Sequence, residues 1–143
     1  MRLVLLLLAV VAGCATPPGP EQKPEQAPPA SPAPPPQKEN VAVAGLMDSA
    51  RADTAAGNLA GAAASLERAL RIEPRNPRLW HELARLRLKQ GQFAQAESVA
   101  ARSNSWAADD RALRAENWRL IAQSREARGD AEGAKAALES ASR

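Results

Sequence analysis

The run NPRLWHELARLRLKQGQFAQAESVAARS, residues 76–103, decides the fold class. Asn76 followed by Pro77 reads as an N-cap with proline at the first helical position, where a missing N–H costs nothing. Leu79, Trp80, Leu83, Leu86 and Leu88 follow at helical spacing and predict a helix over 77–90 with those side chains turned inward. Gly91 closes that helix, and Phe93 opens a second one over 93–103.

Working outward, the same pattern appears on both sides. Aligning Gly57, Gly91 and Gly129 gives one step of 34 residues and one of 38. Nine positions then fall into three columns: Ala50, Ala62 and Ala69, then Ala84, Ala96 and Ser103, then Ala122, Ala134 and Ala141. All nine are small. Trp80 and Trp118 share a column, with Leu83 and Ile121 three residues later, and Pro74 ends the first unit. The segments from Val43, Pro77 and Ala115 resemble tetratricopeptide repeats, and the resemblance spans residues 43–143.

That resemblance implies an all-α fold: a short solenoid of about three helix pairs, with the small residues where helices touch. The expected helices cover residues 42–56, 59–72, 77–90, 93–103, 111–128 and 131–141. Leu59, Leu66 and Leu70 should face inward in the first pair, and the tryptophans should fill interhelical space rather than form a ligand cage. The sequence also departs from the family. The tyrosine of its first helix is replaced by Asp53, Arg87 and Arg125, so either Asp53 and Arg87 pair between neighbouring helices or the arginines snorkel. Leu46 and Ser49 stand where Trp and Leu are usual, which points to a loose or capping first helix. The last helix, Ala131 to Ala141, holds Leu138 as its one large apolar residue and is expected to end the stack unaided.

Composition agrees with that fold class. Residues 41–143 are rich in Ala, Leu, Arg and Glu, the chain has no tyrosine, and Phe93 is its single phenylalanine, a poor supply for a β-sandwich. Charges in this part, 16 Lys plus Arg against 13 Asp plus Glu, form no basic block, so nucleic acid is not an indicated partner.

The first 40 residues read differently. Arg2 precedes a ten-residue apolar run, Leu3 to Ala12, whereas a bilayer-spanning helix takes about 20 residues. Residues 1–13 are therefore expected to be a signal peptide. The run ends in Val11-Ala12-Gly13-Cys14, which resembles a lipobox, and implies diacylglycerol attachment at Cys14, a membrane link through the N-terminal lipid. A lone cysteine in an exported protein has no disulfide partner, which fits lipidation. Ala15 resembles the residue that follows the cysteine in outer-membrane lipoproteins, implying an outer-membrane location facing the periplasm. Residues 14–40 form a tether. Ten of the twelve prolines lie within residues 15–40, without a large apolar side chain, so the stretch is expected to be a disordered, semi-stiff spacer of roughly 80 Å reach at about 3.1 Å per residue.

Chemistry for catalysis is missing. The chain has one histidine, His81, no free cysteine once Cys14 is lipidated, no phosphate loop and no metal-spaced Cys/His cluster, so no cofactor, metal or enzymatic activity is expected. In tetratricopeptide proteins the first helices of successive repeats line a concave groove. Transferred by position, that face here holds Arg78, His81, Arg85 and Lys89, with Arg51 on one side and Arg119, Gln123 and Glu126 on the other. The expected groove is positive and suited to an acidic peptide or carboxylate-bearing partner. Trp106 lies outside the repeat register, in the connector Asn104 to Asp110, and either tucks under it or serves as an exposed partner anchor. Lipobox, proline-rich tether and short repeat domain, in that order, resemble outer-membrane lipoproteins that activate a bifunctional, class A penicillin-binding peptidoglycan synthase from across the cell wall. A pilotin-like scaffold for a type IV pilus or another envelope complex, and a direct binder of peptidoglycan, are the alternative readings.

Overall fold

The computed structural model describes residues 40–143. The stretches expected to be signal peptide and spacer, with Cys14, lie outside the described residues.

Six helices follow one another: α1 Val41–Ala55, α2 Leu59–Ile72, α3 Pro77–Lys89, α4 Phe93–Trp106, α5 Arg111–Glu126 and α6 Ala131–Ala141. The largest shift from expectation is in α4, which runs on through Trp106, so the connector to α5 shrinks to residues 107–110. Local chemistry explains the helix starts. Side chains of Asn40, Asn58, Asn76, Asp110 and Asp130 each accept a hydrogen bond from an N–H of the first turn, while Gln92 makes no such cap. Gly91, at φ 72°, holds the left-handed conformation that reverses the chain between α3 and α4, and Gly57 and Gly129 do the same in their repeats.

Each first helix packs on the second helix of its own repeat, α1 on α2, α3 on α4 and α5 on α6. Eight of the nine column positions are buried, and Ala141 is half-buried. Alanine in these columns lets helix axes approach closely enough for the leucines between them to interlock. One apolar cluster gathers Leu66, Leu70, Leu79, Leu83 and Leu86 with Val43 and Ala50. A second gathers Leu120 and Ile121 with Ala84, Ala100, Ala134 and Ala137. Trp80 and Trp118 pack against the edges of these clusters, half-buried. Trp80 Nε1 donates to the Pro74 carbonyl (2.8 Å), and the Arg102 guanidinium lies 5.0 Å from its ring centre. Leu59 and Leu88, expected inside, are likewise only half-buried.

The two arginines of the tyrosine column form ion pairs with the preceding helix. Arg87 reaches Glu67 of α2 (2.9 Å), and Arg125 reaches Glu97 of α4 (2.7 Å), which also takes Arg128 (2.8 Å). Asp53 does not meet Arg87; it accepts from Asn58 Nδ2 at 3.0 Å, within its own repeat. At the far end α6 buries only Ala134 and Ala137 and leaves Leu138 exposed.

Candidate functional site

The first helices α1, α3 and α5 line a cleft of about 770 Å³. Arg51, Arg78, His81 and Arg85 all reach it, as their spacing requires, and Glu116 of α5 closes the far side. Arg119 and Gln123 are exposed on α5 but do not line this cleft. Two corrections to the sequence reading follow from the geometry.

The first concerns charge. Three arginines in the cleft are outnumbered by five carboxylates: Asp48, Glu73, Glu82, Asp110 and Glu116. Arg51 pairs with Asp48 (3.2 Å), Arg85 with Glu82 (3.4 Å) and Arg78 with Asp110 (3.9 Å). The cleft is therefore of mixed charge rather than a basic stripe. Position transfer selected the cations on the helix face and overlooked the acids one turn away on the same and facing helices.

The second concerns His81, which is 9% exposed and belongs to a buried polar network. Ser103 Oγ donates to the Pro77 carbonyl (2.7 Å), so its lone pair is free to accept from Asn117 Nδ2 (2.8 Å). That orients the Asn117 amide, whose Nδ2 also donates to Asn104 Oδ1 (2.9 Å), and turns its Oδ1 towards His81. His81 Nδ1 must then carry the proton it shares with Asn117 Oδ1 at 2.8 Å. Nε2 alone faces the cleft, 3.6 Å from Glu116 Oε2. His81 thus bolts α3 to α5, with Ser103 and Asn117 both fully buried between them.

Lys89 lies at the opposite end of α3. There a smaller cavity of about 220 Å³ opens between α1 and α3, with Arg51, Arg85 and Lys89 on its rim and Glu82 as its one carboxylate. Its floor is apolar: Met47, Ala50, Leu66 and Leu86. This is the basic part of the concave face, and the sequence reading had its three cations without its floor.

Trp106, the last residue of α4, is 41% exposed. It does not tuck under the connector but stays exposed, with the Arg75 guanidinium over its ring at 5.3 Å. Ala108 in the same connector has φ 43°, the left-handed region that a non-glycine residue rarely adopts. Among the described residues no group of three His, Cys, Asp or Glu side chains could hold a metal ion, and no helix is long and apolar enough to cross a membrane.

A tetratricopeptide-repeat family model matches residues 53–123. With the register and the paired helices, this places the domain in the class of helical-repeat protein-interaction modules, and the chain belongs to the tetratricopeptide-repeat family. Within that class it is similar to the globular C-terminal domain of P. aeruginosa LpoP, at 46% identity and a TM-score of 0.71, over 73% of this chain and 98% of that one. Comparison with curated proteins gives no match.

Proposed function

We propose that this chain is an outer-membrane lipoprotein, anchored at Cys14, whose repeat domain binds and activates a class A penicillin-binding peptidoglycan synthase. The observation that carries the reading is the 46% identity to the LpoP domain across nearly all of that domain. At that level the packed helices and the concave face are shared as a unit, so a common partner class is the natural expectation. The lipobox at Cys14 and the ten prolines over residues 15–40 supply the anchor and reach that such a partner requires. The mechanism is population shift: the domain binds a non-catalytic part of the synthase and favours its active conformation, which requires tighter binding to that state. A direct wall binder would offer a basic groove to the carboxylates of the wall, and in the larger cleft five carboxylates outnumber the three arginines.

The test uses the purified synthase of the same cells. Residues 41–143 should raise its glycan polymerisation severalfold, because binding resides in the helices. In cells, Cys14→Ser should abolish labelling by an alkyne fatty acid, and a lipidated chain lacking residues 18–36 should fail to complement. Unchanged polymerisation with no measurable complex would discard the synthase reading.

A further inference from the structure

The three repeats repeat their columns, so each side chain at one junction has a counterpart at the next. On α3 and α5, Leu88 and Leu120 belong to the same apolar cluster. Moved back by the 34- and 38-residue steps, those columns hold Thr54 on α1 and Glu82 on α3. Thr54 is too short to span the gap and donates its hydroxyl to the Ala50 carbonyl of its own helix (2.7 Å). Glu82 turns to Arg85 (3.4 Å) instead of filling the space. Replacing a leucine pair by Thr and Glu leaves the 220 Å³ cavity between α1 and α3, room for a single Leu or Phe side chain.

We infer that this cavity is an anchor subsite that takes one large apolar side chain from a partner segment bearing Asp or Glu on either side of it. The inference rests on the reading of the domain as a protein binder. Its floor of Met47, Ala50, Leu66 and Leu86 offers apolar contact, and its rim sets Arg51, Arg85 and Lys89 against the single carboxylate of Glu82. Apolar anchors seated in a pocket carry most of the affinity of small interfaces, and rim charges choose between partners. Among the described residues Lys89 makes no ion pair, Arg51 is held only by the exposed Asp48 and Arg85 only by the half-buried Glu82, each one helical turn away on the same helix. Such pairs exchange readily for a carboxylate brought in by a ligand. The larger cleft, with its five carboxylates, offers an acidic segment no comparable welcome. The bound segment therefore enters at the α1–α3 end of the concave face.

Met47 is the one internal methionine of the chain and lies on the cavity floor, so a 13C-methyl label there reports occupancy directly. The probes are short capped peptides Gly-Asp-Glu-X-Glu-Asp-Gly, with X as Leu, Phe, Trp or Gly, and the same set with Lys and Arg in place of the acids. Titrated into residues 15–143, an acidic peptide with an apolar X should shift the Met47 methyl saturably and bind about tenfold tighter than both its basic counterpart and the Gly peptide. Thr54→Leu with Glu82→Leu should fill the cavity and abolish the shift without lowering the melting temperature. Arg85→Glu with Lys89→Glu should reverse the charge preference. Acidic peptides that bind no better than the Gly or basic peptides, or equal binding to the filled variant, would overturn the subsite. Synthase activation without any peptide response at Met47 removes the subsite alone, whereas a peptide response without activation removes the synthase reading alone.

Discussion

Between the second and third repeats, α3 packs on α5 as well as on α4, and α4 packs broadly on α5; between the first and second, α2 meets α3 over a smaller face and α1 has no comparable packing against α3. The tight junction is held by a polar network through His81, Asn117 and Ser103, together with a carboxylate, Glu97, shared by Arg125 and Arg128. The loose junction is held by leucines and one ion pair, Arg87 with Glu67. Leucine packing tolerates small changes of angle, whereas a buried network tolerates only the arrangement that satisfies every partner. The network thus fixes α5 against α3 and α4, and the leucine junction can leave a cavity open without losing the fold.

The most damaging single change should be Asn117→Ala. It leaves His81 and Asn104 without their shared partner and opens a void at a fully buried position. The expected cost is about 3 kcal/mol, with a fall in melting temperature of about 10 °C or more, read by circular dichroism. A loss below 1 kcal/mol would mean that the network does not distinguish the junctions. The ion pairs sharpen the contrast at smaller scale. Glu97 is 23% exposed and serves two arginines, while Glu67 is 48% exposed and serves one. Glu97→Gln should therefore cost about 1 kcal/mol and Glu67→Gln less than about 0.5 kcal/mol, compared by denaturant melts. Equal effects would dissolve the difference. The smallest effect, of opposite sign, is expected in the connector that the network bridges, where Ala108→Gly relieves the positive φ and should stabilise by only about 0.2 kcal/mol once the added freedom of the unfolded chain is subtracted.

Helix order and repeat register were legible in the sequence because small residues at fixed spacing and glycines at helix ends are local signals. The column of Ala50, Ala84 and Ala122 shows on the page what packs in space. Burial of His81 was not legible in that way, since its partner Asn117 lies 36 residues away across an irregular connector. A signal did exist. Asn117 occupies the column of Leu79, and Ser103 is the one polar residue among nine small ones. Two polar groups at buried positions must find each other, and His81 on the neighbouring face completes the set. The charge of the cleft was misread for a different reason. A stripe of cations is visible along one helix, but the carboxylates that offset it are scattered, with Asp48 and Glu82 one turn away on the cations' own helices, Asp110 in the connector and Glu116 on α5. The cavity by α1 needed both the register and the third dimension, because Thr54 and Glu82 are unremarkable until set against Leu88 and Leu120.

The chain enters α1 at Val41, and α1, like α6 at the other end of the stack, packs extensively only within its own hairpin. In mechanical terms a pull on Val41 is met by the α1–α2 interface, and the smaller α2–α3 interface stands behind it. A pulling experiment on residue 41 should therefore unravel α1 from α2 before it reaches the latch at Asn117, further down the stack. Drawing out the 15 residues of α1 from 1.5 Å to about 3.4 Å per residue lengthens the molecule by about 28 Å. That length is held in by the packing of α1 on α2, ahead of the repeats that the buried network locks together.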